Sequence, residues 1–385
     1  MNTNASPDAT TLAFVAPDEY SMIRDAAARL LDDRAGVPAE RWAQVHAALA
    51  DAGLLAAPMR DAEGGMDDAR VVAIVAEEIG RRGVVSPFGI SAAVAARAIE
   101  RAGWAGAGAI GPRLAAGELV ATVAWHEDDG LPAIDAPAVR LAPAGDGFAL
   151  DGHKRAVPFG AEAGLLLVPA TMDAGHALVA LQVDAQAQAT AGAGRLEVVP
   201  APAIDGMPSA DIRFDALPIP ASAVVARGED ARGLLGWMRD AWRVASCADA
   251  LGAMRRLVEM TGEYLRVRQQ FGAPIGQNQA LRHRFVDLHL AIREVEATCE
   301  YAAVSLDRAD AQARAHAADI AHYATVRAAW RVSQECVQMH GGIGMAAETP
   351  VGGYFKRLLG FALRCGDEDA ALARLAARTT AGRVS

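Results

Sequence analysis

Between Leu281 and Leu306 the apolar residues fall on a single stripe. Leu281, Phe285, Leu288, Ile292, Val295, Cys299, Ala302 and Leu306 follow one another in alternating steps of four and three. That rhythm is the buried seam of a helix of about seven turns. A helix this long with one apolar face has to lie in a bundle, so the chain must supply other long helices to cover the seam. Within the seam Cys299 reads as a core residue, because no Cys or His stands at a ligand spacing from it.

The rest of the chain divides into three zones, 1–117, 118–227 and 228–385. The first is helical. Pro38 opens a segment with Trp42, Val45, Leu49 and Leu54 at helical spacing, and Gly53 marks its end. A second helical segment covers Val71 to Gly80, and the loop Glu63-Gly64-Gly65-Met66 lies between them. In the middle zone short apolar runs such as Leu165–Val168 and Ala177–Val183 are bounded by Gly, Pro and Asp, and Phe148–Leu150 precedes a turn-forming Asp151-Gly152. This texture predicts a compact β domain. Beyond Gly228 the helical pattern returns. The predicted fold class is α+β, with an N-terminal helical domain, a middle β domain and a C-terminal four-helix bundle.

The formal net charge of −10 argues against a nucleic-acid partner, which calls for clustered Lys and Arg. Four cysteines, Cys247, Cys299, Cys336 and Cys365, show no CxxC and no metal-type spacing, so no metal site is expected and a reduced, cytoplasmic compartment is. Met1 to Thr11 has neither a basic start nor an apolar signal core. No apolar run reaches the roughly 20 residues that span a bilayer.

Two C-terminal motifs carry chemistry. The first reads Tyr264-Leu-Arg-Val-Arg268-Gln-Gln270-Phe271-Gly272-Ala-Pro274-Ile275, followed by Gln279; the second reads Gln338-Met-His-Gly341-Gly342-Ile-Gly344. An arginine offers a planar, permanently charged fork that suits a pyrophosphate. Adjacent glycines let backbone N–H groups approach a ligand closely. Either feature alone reads as a solvated charge or a helix end. Together, at this separation and in this α–β–α order, they resemble the signatures of the flavin-dependent acyl-CoA dehydrogenase family over essentially the whole chain.

The resemblance implies FAD as cofactor, an acyl-CoA substrate and a tetramer built as a dimer of dimers. It also implies an electron-transfer flavoprotein as electron acceptor. Arg268, Gln270, Phe271, Gln279, Gln338, Gly341 and Gly342 would then reach a neighbouring subunit's flavin, and Asp240, Trp242, Arg243 and Gly366 would lie at the substrate.

Departures from the family pattern are as informative. Most relatives carry the catalytic glutamate in a Tyr-Glu-Gly-Thr turn; the matching stretch here is Leu363-Arg364-Cys365-Gly366, with Cys365 at the glutamate's place. A minority place it on an earlier helix just before an arginine; here Asp240-Ala241-Trp242-Arg243 offers Trp242. Cys365 reads first as a buried spectator thiol. A thiolate base helped by Arg364, or a nearby carboxylate from Asp367 or Glu368, is the alternative.

In the β zone, Ala124-Trp125-His126-Glu127-Asp128-Asp129-Gly130 lacks the family's small Gly-Ser turn, although Glu127 fits the pattern. His126 reads as a partly exposed loop residue. The stretch Gly147 to Lys154 matches the family's Gly-Lys strand, but Pro158 replaces a flavin-facing Ser or Thr and removes a donor. The motifs for a neighbour's flavin are intact and those for the chain's own flavin are degraded. The favoured reading is the glutamate-lacking subunit of a heteromeric acyl-CoA dehydrogenase, resembling those of bacteria. The alternatives are a self-sufficient enzyme with a relocated base, and a flavin-free acyl-CoA-binding or scaffold protein.

Overall fold

The computed structural model describes residues 18–127, 134–173, 175–183, 195–346 and 348–381. The polar N-terminus and Asp128, Asp129 and Gly130 lie outside them.

The first zone contains helices α1 (Asp18–Asp32), α2 (Trp42–Asp51), α3 (Ala69–Arg82), an irregular helical run α4 (88–101) with a π-helical stretch at Ser91–Ala96, and α5 (Ala107–Ala115). Pro38 does precede a helix, but through a 3₁₀ turn at Ala39–Arg41. Helix α3 has clear ends. The Asp68 carboxylate accepts the Arg70 N–H at its start, and Gly83 closes it at φ 66°.

The middle zone forms an eight-stranded sheet in the order β6-β7-β3-β2-β4-β5-β8, with β1 beside β4. The strands are β1 (Ala121–Val123), β2 (Arg140–Ala144), β3 (Gly147–Pro158), β4 (Leu165–Met172), β5 (Gly175–Gln182), β6 (Arg195–Pro200), β7 (Ser209–Ile219) and β8 (Val224–Arg227). Asp151-Gly152 is not the turn expected of it. Strand β3 runs through it, because the ladder to β7 slips between Leu150 and Gly152, and Gly152 absorbs the bulge at φ 135°. A second slip, between Lys154 and Val157, leaves Ala156 at φ 44°, and Phe159, just past the end of β3, stands at φ 53°. Left-handed backbone at residues with a Cβ is strained, and it sits where the sheet meets the helices.

The third zone holds α6 (Gly228–Val267), α7 (Gln279–Arg308), α8 (Ala311–His340), α9 (Val351–Cys365) and α10 (Glu368–Ala381). The seam of α7 behaves as its spacing predicts: Leu288, Ile292, Val295, Cys299, Ala302 and Leu306 are buried, and Leu281 and Phe285 are half-buried near its start. Side-chain oxygens cap both following helix starts, Asn278 on the Ala280 N–H for α7 and Asp310 on Gln312 and Ala313 for α8.

The first zone is seated on the bundle where α3 crosses α6. There Gly80 and Gly252 bring the two backbones together: a Cβ on Gly252 would lie 1.9 Å from the Glu77 carbonyl oxygen, and one on Gly80 1.9 Å from that of Asp249. Among the described residues no helix is long and apolar enough to cross a membrane.

Candidate functional site

Just below the α3–α6 crossing the three zones enclose a cavity of about 50 Å³. Its wall takes Ile79 from α3, Phe88 from α4, Pro158 and Phe159 from the end of β3, Trp242 and Ser246 from α6, and Phe361 from α9. The two sequence positions expected to carry a base meet here. Trp242 stands in the wall, and Cys365, buried at the end of α9, directly follows Arg364, which is also in the wall. Gly366 follows at φ 96° and ends α9.

Burial pushes the Cys365 thiol above its ordinary range, ahead of the opposing pull of Ser246, Arg364, Arg243 and Arg374. A thiol so held stays protonated, so Arg364 does not make it a thiolate. Asp367 and Glu368 do not help: both are exposed, and Asp367 caps α10 by accepting the Ala370 N–H. The sequence reading missed Asp249. Among the described residues it is the one carboxylate lining the cavity, and Arg357 grips it with two bonds of 2.7 and 2.6 Å. Both of its oxygens are thereby committed to the guanidinium.

On the sheet side an open cleft of about 460 Å³ lies between β3 and α9, with His126, Arg155, Ile204, Leu363 and Arg364 in its lining. His126, expected as a partly exposed loop residue, is instead 4% exposed, and its Nε2 lies 2.9 Å from the Arg364 carbonyl oxygen. The β-domain segment and α9 are thereby tied together across the cleft floor. Arg364 and Asp205 add an ion pair of 2.8 Å.

Glu127 is fully engaged. It accepts the Ala138 N–H at 2.8 Å and the buried Lys154 ammonium at 2.6 Å. Burial lowers the Lys154 pKa, opposed by Glu127. Thr122 donates its hydroxyl to the Pro158 carbonyl, and β7 pairs with Val157 and Pro158. The groups that would face a flavin ring from this strand are therefore committed or, at Pro158, lack an N–H. Glu127, the one of these groups that lines the cleft, has no oxygen left to hold a flavin there.

The opposite end of the bundle is built differently. Arg268 caps the C-terminus of α6, and the chain then folds into a two-stranded hairpin, Gln269–Gln270 against Ala273–Pro274. At its tip Phe271 sits at φ 54° and is wholly exposed. Tyr264 stacks on His340 at 4.5 Å and donates to its carbonyl oxygen at 3.3 Å. That contact joins the hairpin's root to the turn where α8 ends at Gly341, φ 65°.

Arg268, Gln270, Phe271, Gln279, Gln338, Gly341 and Gly342 are all exposed, and among the described residues no side chain pairs with the Arg268 guanidinium. An uncommitted guanidinium and a glycine turn with open space beside it suit a pyrophosphate presented by a neighbouring chain.

Asp240 and Arg243, expected at the substrate, lie elsewhere. Arg243 bonds Asp319 at 2.7 Å, Arg314 bonds Asp240 at 3.0 Å, and Arg374 and Arg378 of α10 close on Asp319 at 3.2 and 2.6 Å. Burial brings Arg243 down to about 10, which leaves it a cation at neutral pH. Burial raises the Asp319 carboxyl, but Arg243, Arg378 and Arg374 outweigh it and hold the group below the ordinary range. This cluster joins α6, α8 and α10 behind the cavity wall, and neither Asp240 nor Arg243 lines the cavity.

Comparison with known proteins places these features in context. The chain matches the N-terminal domain of acyl-CoA dehydrogenases over residues 17–118 and their C-terminal domain over 237–380. Acyl-CoA dehydrogenase FadE27 of Mycobacterium tuberculosis is 30% identical over 327 residues, 80% of each chain. Acyl-CoA dehydrogenase IpdE2 of Mycolicibacterium smegmatis is 34% identical over 140 residues, 36% of this chain and 43% of that protein. A solved variant of the Tcur3481–Tcur3483 steroid ACAD superposes with a TM-score of 0.85 at 27% identity, over 96% of this chain and 99% of that one. The ChsE4–ChsE5 complex of Mycobacterium tuberculosis gives 0.83 at 22%, over 96% and 99%.

Proposed function

The chain belongs to the acyl-CoA dehydrogenase family, and from that premise we propose that it is the subunit without a catalytic carboxylate in a two-chain, FAD-dependent acyl-CoA dehydrogenase. One observation carries this reading: neither base position holds a carboxylate, and among the described residues the cavity that Trp242 lines offers none that is free. Trp242 and Cys365 occupy those positions, and Arg357 clamps Asp249. Removing an α-proton from a thioester calls for a base in contact with it, and positioned bases contribute about 10² to 10⁴ in rate. A partner chain has to supply that carboxylate.

This chain's contribution is then to binding. Arg268 holds the partner's flavin pyrophosphate, with Gln270, Phe271, Gln279, Gln338 and the Gly341-Gly342 turn around it. Trp242 and Gly366 shape this chain's own vestigial substrate end, while Asp240 and Arg243 brace it from behind. When bound in the partner's site, FAD would supply the hydride acceptor for α,β-dehydrogenation of the acyl-CoA. The likeness to the steroid ACAD named above supports a bulky, ring-bearing acyl group in the partner's site, and an electron-transfer flavoprotein is the fitting electron acceptor. The two-protein relatives support a heteromeric assembly over a homotetramer.

Expressing the chain alone and with a glutamate-bearing family member tests this reading, with bound flavin and acyl-CoA-dependent dye reduction as readouts. The lone chain should be colourless and inactive, and the pair yellow and active. Turnover by the lone chain that Cys365→Ala abolishes would make Cys365 the base; turnover abolished by Asp249→Asn would give that role to Asp249.

A further inference from the structure

We propose that the indole of Trp242 plugs this chain's own acyl slot, so that the slot excludes any acyl group longer than a few heavy atoms. The inference rests on the reading above only in placing the acyl group beside the two base positions. A base must touch the carbon it deprotonates, and the cavity between α3, β3, α6 and α9 takes in its wall Trp242 and Arg364, the chain neighbour of Cys365. At about 50 Å³ it holds about three to five waters, since each needs roughly 10–15 Å³ measured this way. Small-molecule sites are commonly about 300–1,000 Å³.

Trp242 takes the missing room. Its side chain comes from the middle of the 40-residue helix α6 and is 7% exposed. The benzene edge of the indole lies against bare backbone at Gly89: a Cβ there would sit 3.6 Å from Cζ3 of Trp242 and 3.7 Å from Cβ of Ala245. Phe159, Phe361 and Ile79 share the cavity wall with it. The buried indole N–H finds no partner among the described residues. Packing alone gives no reason to bury an unpaired donor, and the water-sized space beside it is where that donor would be satisfied. With the indole removed, the space approaches the roughly 150 Å³ that admits a benzene ring in an engineered core.

The test uses the full-length chain alone and isothermal titration with coenzyme A, acetyl-CoA and octanoyl-CoA. Wild-type protein should bind octanoyl-CoA no tighter than coenzyme A, because the acyl tail gains no buried surface. Trp242→Ala should bind octanoyl-CoA at one per chain and at least about tenfold tighter than coenzyme A, the gain expected from two buried methylenes. Free indole should compete with the octanoyl tail in that variant.

Wild-type protein that prefers octanoyl-CoA tenfold at one per chain overturns the plug, and this arm needs no variant to fold. A folded Trp242→Ala, judged by circular dichroism and melting, that binds like wild type overturns it as well. Failure of the subunit reading has a different signature, flavin and dye reduction in the lone chain. An open slot in a colourless, inactive chain would remove the plug alone.

Discussion

Replacing Gly252 with alanine perturbs the α3–α6 crossing at its tightest point. Ordinary contact for a Cβ begins at 3.4 Å, and the Glu77 carbonyl oxygen leaves 1.9 Å. The obstacle is backbone, so no rotamer change relieves it and the helices have to part by ~1.5 Å. Overpacking of a tight core costs about 1–3 kcal/mol, and a backbone obstacle puts this case at the upper end. Alanine's better helix propensity returns about 1 kcal/mol, which leaves a net destabilisation of ~2 kcal/mol.

Gly233 on the same helix provides the opposite case, because a Cβ there meets nothing within 4 Å. Gly233→Ala should stabilise by up to about 1 kcal/mol. Urea denaturation of wild type and both variants, followed by circular dichroism, reads the two signs directly. If Gly252→Ala proves as stable as Gly233→Ala, the helices are not in backbone contact and the seating of the first zone on the bundle has been misread.

Arg268→Ala should lower flavin retention by the assembled oligomer after dialysis while leaving the fold intact, and Arg268→Lys should rescue only partly, since a point charge does not reproduce the fork; unchanged flavin content refutes the assignment. Leu288, completely buried in the α7 seam, should lose roughly 2–5 kcal/mol on truncation to alanine, measured by the same urea titrations. Burial pulls the His46 pKa down to about 4, and neither ring nitrogen has a partner among the described residues. Its folded value lies below the unfolded value of about 6.5, so the stability it contributes is complete above that pH and is lost as pH falls toward 4. Melting temperature against pH should therefore fall less steeply for His46→Leu than for wild type, and identical slopes would remove His46 as a source of acid lability.

What could be read in the sequence was local or periodic. The α7 seam is a property of spacing, and the bounded apolar runs Leu165–Val168 and Ala177–Val183 mark most of the strands Leu165–Met172 and Gly175–Gln182. The hairpin at Gln269–Pro274 and the turn at Gly341 are short motifs whose exposure follows from their chemistry. The pairings between distant segments left no such trace. Nothing near Asp249 points to Arg357, more than a hundred residues later, and nothing near His126 points to the Arg364 carbonyl.

Asp151-Gly152 shows why turn signals mislead. The same glycine freedom that permits a turn also permits a bulge, and only the presence of β7 decides between them. Trp242 was recognisable as a missing carboxylate, but its packing against Gly89 required the fold.

The cluster around Asp319 has a consequence for how the molecule comes apart. Two carboxylates, Asp240 and Asp319, face five arginines, Arg239, Arg243, Arg314, Arg374 and Arg378. The last two close on Asp319 alone, so one carboxylate of α8 holds both Arg243 of α6 and the cations of α10. Helix α10 is the piece expected to detach first. Its departure takes two cations from Asp319 and leaves Arg243 in place, so the bundle survives while amide protons of α10 exchange with solvent. Hydrogen exchange in the C-terminal helix thus reports on the completed bundle long before global unfolding begins.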